Sequence, residues 1–119
     1  MAACLLLLAI GGILTSCGGT PEIETLLKSG PTVFDTEAHS VKIVAISSLP
    51  IVCVVSWGPT TDYGLTSTDA DMEGAGHTDH HHVLLGLQPD TEYHFRFSGI
   101  GPRGEGYRSK DYAFRTPPS

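Results

Sequence analysis

Apolar and polar side chains alternate most clearly between Thr91 and Ser98. Thr91, Tyr93, Phe95 and Phe97 fall on one parity, and Glu92, His94, Arg96 and Ser98 on the other. A period of two places the aromatic set on one face of a half-buried strand. Gly86, Pro89 and Asp90 mark the turn before it, and Pro89 holds Gln88 extended. In Ser40 to Ile46, Val41, Ile43 and Ala45 share a face. Ser47, Ser48 and Pro50 then predict a turn. Ile51 to Trp57 is apolar on both parities, as a central strand requires, with Cys53, Val55 and Trp57 on one side and Val52 and Val54 on the other. Gly58-Pro59 stops it. Shorter strands are expected at Thr32 to Phe34, Tyr63 to Thr68, His80 to Leu85 and Asp111 to Arg115. About seven short strands and no long helix predict an all-β sandwich.

The N-terminal pattern is different. Residues 1–16 carry no charge, and the apolar run from Cys4 through Leu14 is shorter than the ~20 residues a membrane-crossing helix needs. It fits a secretory signal peptide. Leu14-Thr15-Ser16-Cys17, followed by Gly18, resembles the lipobox of bacterial lipoproteins. The resemblance implies that residues 1–16 are removed and that Cys17 is lipidated and becomes the mature N-terminus. It departs from the usual pattern in having no Lys or Arg before the run. Gly18 in place of Asp implies outer-membrane sorting, hence a lipid-anchored protein of the bacterial cell envelope. Residues 17–30 then read as a tether reaching roughly 40 Å. Within it, Thr20-Pro21-Glu22 fits the cap of a helical turn, and Pro21, Ile23 and Leu26 equally fit an edge strand; extended or irregular chain is the expectation. The sandwich is expected over residues 31–118.

Charge limits the partners. All 7 basic and 13 acidic residues lie after residue 16, giving a net charge of −6. Nucleic acid would be repelled at long range, so no nucleic-acid partner is expected. With Cys17 lipidated and Cys4 removed, Cys53 is the one remaining thiol and no internal disulfide is expected. Its place among valines predicts a buried, inert thiol.

Leu84-x-x-Leu87-x-Pro89-x-Thr91-x-Tyr93-x-Phe95-x-Phe97 resembles the E–F corner of fibronectin type III domains. Val55-Ser56-Trp57-Gly58-Pro59-Thr60-Thr61-Asp62-Tyr63-Gly64 is similar to strand C of the subfamily found in bacterial exported proteins and ahead of purple acid phosphatases. Tyr107-Arg108-Ser109 and Tyr112-x-Phe114-Arg115-Thr116-Pro117 resemble the end of that domain. The resemblance implies a seven-stranded fibronectin type III (immunoglobulin-like) β-sandwich. It makes Leu87, Pro89, Thr91 and Tyr93 a structural corner in which the tyrosine hydroxyl bonds back to the E–F turn. The tryptophan usual on strand B is missing, and Trp57 is expected to fill part of its volume. No phosphatase activity is carried over, because the matching residues belong to the module ahead of the catalytic domain. The fold would gather the B–C loop (Ser47 to Pro50), the C′–E loop (Asp69 to Asp79) and the F–G loop (Gly99 to Arg108) at one end. A protein partner is expected there, with Arg103 and Tyr107 as anchors.

Four of the six histidines fall at His77, His80, His81 and His82. His80 and His82 share a strand face, and His77 is close enough to fold back onto them. With Met72 they form a candidate copper or zinc site, imidazole suiting both ions and the thioether suiting Cu⁺. The competing reading makes His82 a core histidine at a position the family fills with an aliphatic residue. Asp69-x-Asp71-x-Glu73-Gly74 looks like half of a calcium loop, but the twelfth position is His80 rather than Glu, so a solvated acidic loop is expected. Arg103-Gly104-Glu105 reads as a turn. No nucleophile spacing or cleft signal is present, so no catalytic residue and no enzyme is expected. The sequence therefore suggests a lipid-anchored, exported, non-enzymatic binding or assembly module. The alternative is a periplasmic copper- or zinc-binding lipoprotein.

Overall fold

The computed structural model describes residues 20–68 and 76–119. Cys17, Met72 and the acidic run Asp69 to Gly74 lie outside the described residues. Seven strands follow one 3₁₀ turn: β1 (Leu27–Phe34), β2 (Ser40–Gly58), β3 (Leu65–Thr68), β4 (His77–Leu85), β5 (Glu92–Ile100), β6 (Gly106–Arg108) and β7 (Tyr112–Arg115). All their pairings are antiparallel. The fold is the expected all-β sandwich.

One strand joins the layers. The first half of β2 pairs with β1 and with β4, from Ser40↔Leu85 to Ile46↔Asp79. Its second half pairs with β3 and with β5, from Val52↔Ile100 to Gly58↔His94. The turn expected at Ser47, Ser48 and Pro50 is thus a bend inside one 19-residue strand. The register shifts between Ile46 and Ile51, and Pro50 sits in that gap, where no ladder bond needs its missing N–H.

The core follows the alternation. Val41, Ile43, Ala45, Ile51, Cys53, Val55, Trp57, Leu84, Leu87, Tyr93, Phe95 and Phe97 are all buried, as is Ile23. Trp57 meets Tyr93 edge-on at 5.9 Å. At the corner, Tyr93 Oη accepts the Gln88 N–H at 2.8 Å, and Thr91 Oγ1 donates to Pro89 O at 2.8 Å. Thr116 Oγ1 donates to Gln88 O at 2.6 Å, which ties the corner to the C-terminal strand.

The stretch expected as a tether belongs to the sandwich from Glu22 onward. Ile23–Leu26 forms the 3₁₀ turn, and Ile23 is fully buried. β1 begins at Leu27, five residues ahead of the short edge strand expected at Thr32. It is an edge strand with two register shifts, a setting that tolerates Pro31. Glu24 fastens this segment to β7. Its Oε2 accepts the Tyr112 hydroxyl at 2.7 Å and the Lys110 N–H at 3.0 Å. Burial raises the Glu24 pKa, but these donors and its own backbone N–H outweigh burial and hold it below 4.5. Burial and the same carboxylate push the Tyr112 hydroxyl well up. A depressed carboxyl stabilises the fold above its unfolded pKa, and that stability is lost as pH falls through the folded value. Glu24→Gln should therefore cost about 1 kcal/mol at neutral pH. The difference from wild type should shrink as pH falls below the ordinary carboxylate range and disappear only once pH is below the lowered folded value, as read by urea unfolding at several pH values.

Candidate functional site

β4 opens with His77 opposite Ile51, while Val52 pairs with Ile100. The bend of β2, the start of β4 and the segment 101–105 therefore gather at one end of the sandwich.

The histidines are sorted by strand parity. His80 and His82 point inward and are 1% and 0% exposed; His81 points outward. Ser47 Oγ donates to Leu49 O at 2.7 Å and lies 3.0 Å from His80 Nε2. With the hydroxyl proton on Leu49 O, the Ser47 oxygen is an acceptor for the Nε2-protonated tautomer of His80. His77 Nδ1–H donates to Asp79 O at 2.6 Å, which places the ring lone pair on Nε2. The His77 and His80 rings lie 4.9 Å apart. His82 packs instead on Phe97, with centroids 5.6 Å apart. Of the four candidate metal ligands, the structure thus brings His77 and His80 together and sets His82 into the core. Among the described residues no group of three His, Cys, Asp or Glu side chains is arranged to hold a metal ion.

The segment 101–105 is a turn stapled by Glu105. Gly101 N–H donates to Glu105 O at 2.8 Å, and Arg103 N–H donates to Glu105 Oε1 at 2.8 Å. The Tyr107 hydroxyl donates to Glu105 Oε2 at 3.3 Å. The Glu105 backbone N–H, with those two donors, outweighs burial and holds its carboxyl below the usual range. Arg103 is exposed at the tip of this turn. Tyr107 is half-buried against the core, so its ring is committed to the fold more than Arg103 is.

A polar cluster at the far end had no sequence signal, because its members lie far apart in the chain. Asp111 accepts from the Tyr63 hydroxyl at 2.8 Å through Oδ1 and from His94 Nδ1 at 2.8 Å through Oδ2. Arg96 covers the Tyr63 ring at 4.9 Å. Burial, then Asp111, raises the Tyr63 pKa. The cluster fastens β5, the entry to β7 and the turn after β2.

Solved structures share this arrangement. A structure titled as that of a myokine matches with TM-score 0.56 and 20% identity, over 82% of this chain and 99% of its own. The fold is fibronectin type III-like. A purple acid phosphatase from yellow lupin (Lupinus luteus) seeds matches with TM-score 0.55 and 18% identity, over 79% of this chain. The match covers only 19% of that enzyme's chain. At these identities the likeness is one of fold. No protein-family model and no curated protein matches the chain.

Proposed function

We propose that the chain is a non-enzymatic binding or assembly module, held at the bacterial cell envelope by lipid on Cys17. It contacts a protein partner through the end of the sandwich that carries Arg103. The stapled turn carries this reading. Glu105 fixes residues 101–105 through backbone and side-chain bonds and leaves the Arg103 guanidinium exposed at the tip. Such preorganisation lowers the entropy lost when a loop binds. Tyr107 supports the turn from below and supplies the edge of the surface. Acidic groups on the partner suit Arg103, whereas nucleic acid is disfavoured by the net charge of −6.

The test is affinity purification of the tagged full chain from membranes of the source organism. Wild type should retain a stoichiometric protein, and Arg103→Glu should release it. Recovery of the same partner by Arg103→Glu would place the contact elsewhere.

One observation favours a second reading, copper or zinc binding: the His77 and His80 rings meet at the same end, 4.9 Å apart. Titration calorimetry with Zn²⁺ or Cu²⁺ separates the two readings. Binding tighter than about 1 µM that His77→Ala abolishes would support the metal role, and absence of such binding would dismiss it.

A further inference from the structure

The outer face of the β1–β2–β4 layer carries an apolar strip that the core does not use. Phe34, Ile46, Val83 and Leu85 are all exposed on it, Leu85 to 66%. Beside them a groove of about 350 Å³ is lined by Ser29, Val44, Ile46, Asp79 and His81. The strand pairing orders this face in rows: Lys42 with Val83, Val44 with His81, and Ile46 with Asp79. Lys42 stands at one end of the strip and Asp79 at the groove end, four residues along the ladder and about 14 Å apart.

We propose that this face joins two copies of the chain. A two-fold axis lying across the strands at the Val44/His81 row turns Lys42 of each copy onto the groove of the other. There the apolar stem of the lysine lies over Val44 and Ile46, and its ammonium reaches Asp79. Two equivalent contacts form, as an isologous interface requires. The complement of the acidic groove thus sits on the same face at the matching ladder spacing, which is the reason to assign a second copy rather than another partner. Lys42 now pairs with Asp35 at 3.2 Å, with both side chains about half exposed. Such an exposed pair is weak and exchanges at little cost. The strip measures roughly 20 Å by 10 Å, below a standard interface, so the dimer is weak, with Kd about 10–100 µM. The groove end of this face adjoins the sandwich end that carries Arg103, but the dimer contact is made by the outer face of the β1–β2–β4 layer and does not rest on the Arg103 reading.

Sedimentation equilibrium of the full chain in detergent, up to about 300 µM, tests the proposal. Wild type should dimerise. Lys42→Asp and Asp79→Lys should each weaken the dimer about tenfold or more, and the double variant should return to within about threefold of wild type. These positions are exposed or half-exposed, and near-UV circular dichroism confirms that each variant is folded. Ile46→Glu, which fills the groove with charge, should also abolish association. A monomeric wild type, a dimer indifferent to the charge reversals, or a double variant that is not restored would each overturn the proposal.

Discussion

Phe97→Ala is expected to remove about 3–5 kcal/mol of folding stability. Phe97 is fully buried in β5, between the Phe95 ring at 6.3 Å and the His82 ring at 5.6 Å. Truncation forfeits the transfer free energy of the ring and leaves a cavity that two layers joined by β2 cannot close. The loss is a large fraction of the stability of a small domain, about 5–15 kcal/mol. The cavity opens beside His82, so the inward histidines of β4 should become exposed first. Urea unfolding followed by the fluorescence of Trp57, the single tryptophan, reads the change. A cost under about 1 kcal/mol would mean that β5 is not the packed centre of the core.

Gly58→Ala should be of similar size, about 3 kcal/mol or more, for the opposite reason. A Cβ at position 58 would lie 1.8 Å from the carbonyl oxygen of Tyr63 and 2.7 Å from its carbonyl carbon. Both atoms are backbone, so the turn from Gly58 to Tyr63 must move as a unit. That displacement pulls the Tyr63 hydroxyl off Asp111 and loosens His94, which shares the same carboxylate. The substitution should therefore lower the melting temperature and broaden the His94 ring resonances. Thr61→Ala in the same turn should do neither, since Thr61 is exposed. An unchanged melting temperature for Gly58→Ala would contradict the close approach of the two segments.

The parts of the fold legible in the sequence were those where one parity is apolar and the next polar. Tyr93, Phe95 and Phe97 needed no further information, and neither did Val41, Ile43 and Ala45. The alternation fails where backbone rather than side chains sets the structure. Lys28-Ser29-Gly30-Pro31 shows no apolar period, yet it belongs to β1, because an edge strand with two register shifts needs few inward side chains. Ile23 is buried from a 3₁₀ turn, where a single apolar residue suffices and no period can develop. Ser47 and Pro50 look like a turn because they have turn chemistry; the bend that carries β2 between layers uses the same residues without ending the strand.

At the loop end, the inward parity of His82 was readable. The packing of His82 on the Phe97 ring was not, since it depends on a side chain from across the core. The Glu105 staple was likewise hidden. Arg103-Gly104-Glu105 reads as a turn, but nothing in the string says that the carboxylate bonds the Arg103 N–H and the Tyr107 hydroxyl.

The end of the sandwich bearing Arg103 is proposed to be a protein-binding surface. Site-specific photo-crosslinking of the full chain in membranes of its source organism tests it directly. A photoreactive residue replaces either Arg103 or Asp62, which is exposed in the turn at the opposite end. One discrete adduct, with a protein other than the chain itself, is expected from position 103 and none from position 62. Equal labelling from both positions, or none from position 103, would contradict it.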